Sequence, residues 1–238
     1  MKIALIGYGK MGKTIENIAL NNGDEVVLKI GQANRNELNV ENLRKADVAI
    51  EFTRPEFAYE NILHCLIAGV PVLSGTTGWT DKLVAAKKFC KERDGAFFYA
   101  SNFSVGVNIF FAVSRQLCDV MNQYPDYNAR IEEIHHTQKL DAPSGTAITL
   151  ANHVLEHLDR KTKWVDRPQK TPEELSIVSK RLDNVPGTHV LEFSSPIDTI
   201  ELVHTAHSRE GFASGALMAA RWLVGKKGFF EMKDMLGF

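Results

Sequence analysis

A chain of 238 residues with 44% hydrophobic content can build one large core or two modest ones. Its formal net charge of -1 offers no general attraction to nucleic acid or to a membrane surface. Cys65, Cys90 and Cys118 are too widely spaced for a metal-ligand motif or a disulfide framework, so no metal is expected and a reducing compartment is. The apolar run before the first glycine spans only residues 2–6, too short for a signal peptide or a membrane span, and the expectation is a soluble cytoplasmic protein.

The first hundred residues alternate short apolar runs with helical patterns. Strands are expected at 2–6, 25–30, 47–52, 71–75 and 96–100, with a helix through Leu63 and Ile67 and another over 80–92. Continuous apolar strands that alternate with helices predict a parallel sheet covered on both faces. The pattern then changes. A long apolar helix is expected over 104–124, with Ser104 as a cap. A half-buried strand follows at 129–136, then a helix over about 144–157 and a charged, proline-containing loop over 159–174. Alternating runs at 189–193 and 199–207 predict a mixed or antiparallel sheet. Helices over about 211–224 and 230–236 close the chain. The expected fold is α/β: a Rossmann dinucleotide-binding domain of residues 1–104, to which 208–238 return, and an α+β domain of residues 105–207 for substrate binding and oligomerisation.

Residues 7–12, GYGKMG, form a G-x-G-x-x-G directly after a strand and before an amphipathic helix. Gly7 permits the tight turn, Gly9 lets backbone approach a pyrophosphate, and Gly12 lets helix and strand pack closely, with the phosphate on the N–H groups of the helix start. A glycine-rich turn without a ligand is the simpler alternative, but the strand–turn–helix context favours a dinucleotide. After the second strand, where an acid usually meets the ribose 2′-hydroxyl, the chain reads Gly31-Gln32-Ala33-Asn34-Arg35. No carboxylate repels a 2′-phosphate there, and Arg35 or Lys29 has the charge to pair with one, which tilts the cofactor toward NADPH over NADH. Polar turns follow the third, fourth and fifth strands. Phe52 offers a ring contact, and Thr76, Thr77, Asn102 and Ser104 offer hydrogen bonds to a ribose or a nicotinamide amide.

Residues 132–147, EEIHHTQKLDAPSGTA, concentrate the remaining chemistry. His135 and His136 are adjacent on a strand and point to opposite faces, so they do not chelate one metal from there. His135 and Lys139 share parity and face one side if the strand continues. A histidine suits proton transfer near neutral pH, and a lysine supplies a fixed cation or a proton. The N–H groups of Gly145 and Thr146, with the Thr146 hydroxyl, form a carboxylate site at a helix start.

The same segment resembles the signature E-x-H-H-x-x-K-x-D-A-P-S-G-T-A of the dihydrodipicolinate reductase family, matched at every fixed position. IEFTRPE, SGTTG, SNFSVGVN and the 207–223 run HSREGFASGALMAARWL are similar to that family's segments in the same order, so the resemblance spans nearly the whole chain. It implies NAD(P)H-dependent reduction of 4-hydroxy-tetrahydrodipicolinate in the diaminopimelate route to lysine. It implies proton donation or acceptance by His135, proton donation by Lys139, and substrate binding by His136, Gly145 and Thr146. It implies cofactor contacts from Gly7, Tyr8, Gly9, Lys10, Met11 and Gly12, from Gly75, Thr76 and Thr77, and from Ser101, Asn102, Phe103 and Ser104. It further implies a homotetramer joined through the sheets of the second domain. The run 181–193 departs from the family's usual pattern at Asp183 and Thr188, which bears on loop and assembly contacts rather than on the reaction. Two alternatives stand beside this reading. One is a nicotinamide oxidoreductase for a different amino-acid-derived acid, against which the histidine–lysine–SGT constellation argues. The other is a non-catalytic nucleotide sensor, which would need neither His135 nor Lys139.

Overall fold

The computed structural model describes residues 1–208 and 210–238; Arg209, inside the 207–223 segment, lies outside the described residues. The chain forms two units. One comprises Met1–Val105 and Glu210–Phe238, and the other starts at Gly106 and ends before Glu210.

In the first unit, β1 (Lys2–Ile6) leads into α1 (Lys10–Asn21) and β2 (Glu25–Ile30). A one-turn helix α2 (Val40–Leu43) precedes β3 (Val48–Glu51), α3 (Pro55–Ala68), β4 (Val72–Ser74), α4 (Leu83–Glu92) and β5 (Ala96–Tyr99). Pro55 opens α3, where its missing N–H costs nothing, and Gly69 closes it at φ 75°, the left-handed conformation that glycine adopts without strain. Every residue of β3 and β4 is buried, as expected for parallel strands covered on both faces.

In the second unit, α5 (Val105–Met121) is followed by β6 (Asn128–His135), α6 (Gly145–His157), β7 (Lys163–Val165), β8 (Glu174–Arg181), β9 (Gly187–Ser194) and β10 (Thr199–Ala206). The sheet order is β10-β9-β6-β8-β7. β6 runs antiparallel to β9 and parallel to β8, so the sheet is mixed. On β6 Ala129, Ile131, Glu133 and His135 are buried while the residues between them are half-exposed. Ala129 and Ile131 share a core with Leu150, Ala151 and Val154 of α6 and Val107, Phe110 and Phe111 of α5.

The chain then returns to the first unit as α7 (Glu210–Leu223), β11 (Gly228–Phe230) and α8 (Met232–Leu236). β11 pairs in parallel with β5, completing a six-stranded parallel sheet of order β11-β5-β4-β3-β1-β2. Ala213, Ala216, Leu217 and Ala220 of α7 bury themselves in the core formed by β1, β3 and α1. A Cβ on Gly215 would stand 1.8 Å from the Phe103 carbonyl oxygen, so α7 approaches that backbone as closely as a helix can.

Three expectations need correction. Residues 159–174, read as loop, contain β7, and the unpredicted strand β8 starts where they end. The start of the closing helix at 230–236 is β11, and the helix itself begins at Met232. The strand over 129–136 stops at His135, and a turn follows in which the Lys139 N–H donates to the His136 carbonyl (3.1 Å). The parity argument that put His135 and Lys139 on one strand face therefore fails.

Candidate functional site

The loop between β1 and α1 is shaped by two close approaches. Gly7 sits at φ 98°, and a Cβ there would lie 1.9 Å from the Phe52 carbonyl oxygen. A Cβ on Gly12 would lie 2.3 Å from the Gly7 carbonyl oxygen. By contrast a Cβ on Gly9, the N-cap of α1, would meet nothing within 4 Å. The loop is thus packed tightly beneath and open above, where the positive end of the helix dipole lies.

A cavity of about 460 Å³ opens at the carboxyl ends of β1, β2 and β3. Gly7, Tyr8 and Gly9 line it, together with Gln32, Arg35, Phe52, Phe57 and Asn61. This is where open α/β sheets bind ligands. Asn34 holds the arginine loop in place: its Oδ1 accepts from the Gly31 N–H (2.8 Å) and its Nδ2 donates to the Lys29 carbonyl (2.9 Å). The Arg35 guanidinium lies 3.7 Å from the centre of the Phe57 ring and 3.4 Å from Glu60. Lys29 is engaged elsewhere, pairing with Glu16 at 3.2 Å and lying over the Tyr8 ring, whose hydroxyl also donates to Glu16. Between the two cations considered for a 2′-phosphate, Arg35 is the one that lines the cavity. Of the other predicted contacts, Lys10 is exposed at the start of α1, while Met11 is half-buried against the core.

Gly75, Thr76 and Thr77 follow β4, and Ser101, Asn102, Phe103 and Ser104 follow β5, on the same edge of the sheet but outside the cavity lining. Phe103 is buried, with its ring 5.9 Å from Phe52 and 5.7 Å from Phe98, so its side chain is core rather than a cofactor contact. Asn102 Oδ1 accepts from the Ser104 N–H at 2.9 Å. Thr76 is buried and engaged by Glu51, a residue sequence reasoning missed. Glu51 is completely buried and accepts from Ser74 Oγ (2.6 Å), Thr76 Oγ1 (2.9 Å), the Thr53 N–H (3.0 Å) and the Thr53 hydroxyl. Burial pushes its carboxyl up, against these donors. The carboxyl ties the turns after β3 and β4 together. The readable signal is that E-F-T and S-G-T-T end two strands whose register pairs Glu51 with Ser74.

In the second unit the register of β6 assembles a compact polar cluster. β9 places His189 opposite Glu133, and β8 places Arg181 opposite His135. Glu133 Oε2 lies 2.9 Å from His135 Nδ1, close enough for an ion pair but not aligned as a hydrogen bond. Arg181 donates to Glu133 Oε1 (3.1 Å) and to the Asp141 carbonyl (2.7 Å). Glu133, His135 and His189 are all buried, and the two rings meet edge to face at 5.1 Å. Burial alone pushes the Glu133 carboxyl up, but His135 and the Ser144 and Ser179 hydroxyls outweigh it and hold the group well below the usual carboxylate range. Burial, then the charge of His135, depresses His189 to about 3, so its ring is neutral at ordinary pH. Glu133, His135 and His189 present ligand-type atoms within 4.8 Å of one another. Arg181 already supplies a cation to this carboxylate, so its charge is paired without a metal ion.

The turn after β6 brings the other predicted residues round. His136 is half-exposed just past the strand. Lys139 Nζ pairs with both oxygens of Asp141 (2.7 and 2.8 Å). Burial raises the Asp141 carboxyl, and the Lys139 charge more than reverses this. Ser144 caps α6, its Oγ accepting from the Ala147 N–H (3.2 Å), and the same Oγ lies 3.2 Å from His189 Nε2. Gly145 and Thr146 form the first turn of this helix, and a Cβ on Gly145 would meet open space. The cap thus links the helix start to the histidine cluster. Sequence reasoning missed Glu133, His189 and Arg181 as site residues, because each comes into place by strand pairing.

Comparison with known proteins agrees with this anatomy. Residues 1–103 match the family described as dihydrodipicolinate reductase, N-terminus, and residues 106–236 match dihydrodipicolinate reductase, C-terminus. A 4-hydroxy-tetrahydrodipicolinate reductase of Christiangramia forsetii is 49% identical over 237 residues, 99% of this chain and 98% of that one. One from Chromobacterium violaceum is 39% identical over 200 residues, 81% of this chain and 74% of that one. Among solved structures, a dipicolinate-bound dihydrodipicolinate reductase from Paenisporosarcina sp. TG-14 superposes with a TM-score of 0.78 at 25% identity, covering 98% of both chains. With both halves matched in order and a relative at 49% identity over almost its full length, the chain belongs to the dihydrodipicolinate reductase family.

Proposed function

We propose that the chain catalyses NAD(P)H-dependent reduction of 4-hydroxy-tetrahydrodipicolinate to tetrahydrodipicolinate, an oxidoreductase step of the diaminopimelate route to lysine. The observation that carries this reading is the 135–146 segment, where a buried histidine, a lysine and a capped helix start occur together beside a carboxylate. The overall change replaces a ring hydroxyl by hydrogen: a hydride and a proton enter and water leaves. The nicotinamide, when bound, supplies the hydride. The open face of Gly9 at the start of α1 and the cavity beside it fit a dinucleotide, with Gly7–Gly12 at the pyrophosphate. Gly75–Thr77 and Ser101–Ser104 are assigned to the nicotinamide half and Phe52 to a ring contact. Arg35 is assigned to a 2′-phosphate, which favours NADPH over NADH.

The substrate is a dicarboxylate. Gly145 and Thr146, at the positive end of α6, are assigned to one carboxylate, and His136 to a further substrate contact. Lys139 donates the proton that completes reduction, and His135 donates or accepts a proton at the ring. Asp141 keeps the Lys139 ammonium in place until substrate arrives. A dipicolinate-bound relative supports a planar dicarboxylate as the ligand class. The chain is assigned to the cytoplasm; among the described residues no helix is long and apolar enough to cross a membrane. A homotetramer is supported by the edge strand β10, whose outer side pairs with no strand among the described residues and where Ile200 and Val203 are 40% and 51% exposed.

The test is the loss of NADPH absorbance, and separately of NADH absorbance, when substrate is generated in place by the preceding synthase from pyruvate and aspartate semialdehyde. Oxidation that depends on the synthase is expected. Binding of both cofactors with no oxidation would replace the reading by a nucleotide-sensing role or a different substrate.

A further inference from the structure

We infer that Glu133 and His189 are positioning residues for His135, fixing the orientation of its ring. The inference rests on the proton role assigned to His135 above.

The geometry carries it. Three polar atoms of the cluster, Glu133 Oε2, His135 Nδ1 and His189 Nδ1, are buried and have no hydrogen-bond partner among the described residues. Such atoms are rare in a folded interior and need a reason. Here two of them face each other at 2.9 Å. At that distance the carboxylate holds the Nδ1 edge of the His135 ring, and with it the direction in which Nε2 points. Arg181, donating to the other carboxylate oxygen, keeps Glu133 aimed. The His189 ring, edge to face at 5.1 Å, blocks rotation of His135 on one side. The Gly187 backbone does so on another, since a Cβ there would stand 3.1 Å from His135 Nε2. His189 is itself anchored through Ser144 Oγ, the cap of α6. Orientation of His135 is therefore coupled to the helix start assigned to the substrate carboxylate.

The charged and titratable surroundings are those of every neighbouring element: Glu133 on β6, Arg181 on β8, His189 on β9, and His204 paired with His189 on β10. Lys139 and Asp141 lie in the following turn, with Ser144 at the start of α6. Glu133 is the acid in direct contact with His135.

The experiment measures kcat and KM for the full-length enzyme and its Glu133→Gln, Glu133→Asp and His189→Asn variants, in the synthase-coupled assay. Glu133→Gln keeps the shape and loses the charge that holds the ring, so kcat falls about ten-fold with KM for substrate held within about two-fold. Glu133→Asp restores the charge and returns kcat toward its wild-type value, a rescue that loss of packing would not give. His189→Asn lowers kcat about ten-fold with KM for substrate held within about two-fold. Wild-type kcat in Glu133→Gln overturns the inference. Should Glu133→Gln fail to fold, as judged by its thermal transition, unchanged kcat in His189→Asn overturns it equally. If the wild-type enzyme shows no synthase-dependent oxidation, the failure belongs to the proposed reaction; an active wild type with indifferent variants sinks only the positioning role.

Discussion

Replacing Arg35 by alanine separates the two cofactors. Asn34 fixes the loop, and the guanidinium stacks at 3.7 Å on Phe57 at the cavity wall. Among the described residues its charge pairs with Glu60, at 3.4 Å and with a side chain 65% exposed. Such surface pairs contribute about 0–1 kcal/mol, so a 2′-phosphate displaces little. A hydrogen bond to a charged group contributes about 1.5–3 kcal/mol, which at about 1.4 kcal/mol per factor of ten becomes roughly 10- to 150-fold in Kd. Less the roughly 0–1 kcal/mol that the Glu60 pair held, Arg35→Ala is expected to weaken NADPH by about 2- to 150-fold and NADH by less than about two-fold. Titration of each cofactor by fluorescence, at fixed ionic strength, measures both. Equal losses for NADH and NADPH would refute the 2′-phosphate assignment, leaving Arg35 as a surface residue that stacks on Phe57.

Three further outcomes are expected. Lys139→Ala should lower turnover by orders of magnitude while NADPH affinity stays nearly constant; loss of NADPH binding would count against assigning cofactor and substrate to separate units. Gly12→Ala should cut affinity for both dinucleotides at least ten-fold and lower the melting temperature, since a Cβ 2.3 Å from the Gly7 oxygen forces the loop apart; unchanged binding would show that the loop does not hold the pyrophosphate. His189, buried and depressed to about 3 against an ordinary 6.5, contributes stability that is present above pH 6.5 and lost as pH falls toward 3. Between pH 7 and 4.5 the wild type should lose about 2–3 kcal/mol more than His189→Asn in urea unfolding; parallel curves would mean that His189 protonates without cost in the folded state.

The first unit was largely legible because its signals are local. Five apolar runs, helical spacing between them and a glycine loop after the first strand are each visible within a dozen residues. β11 escaped because three residues, GFF, carry no period, and pairing with β5 makes them a strand. β8 escaped because it opens with a buried Glu174, held by Arg167 and with its carboxyl lowered to about 2, which in a charged stretch reads as surface. In the site, His135, Lys139 and the SGT helix start were evident as residue types in one segment. Their neighbours were not. Glu133 looked like one of two strand glutamates and His189 like an alternating polar residue; only the β6–β9 register sets them face to face. The strand parity used for Lys139 failed because the chain turns at His136, where a backbone hydrogen bond replaces the ladder.

The first unit is discontinuous in sequence, and this has a consequence for its synthesis. The glycine loop is made within the first dozen residues, yet the sheet beneath it lacks its β11 edge, and the core its α7 wall, until residues 210–238 have left the ribosome. Throughout that interval the residues destined to lie under α7, such as Ile15 and Phe98, stay open to solvent or to a chaperone. The second unit, whose residues are contiguous, can close first. Newly made chains should therefore gain the second unit's protection from proteolysis before they can retain a dinucleotide, and a cut ahead of Glu210 should abolish that retention although every residue of the glycine loop is intact.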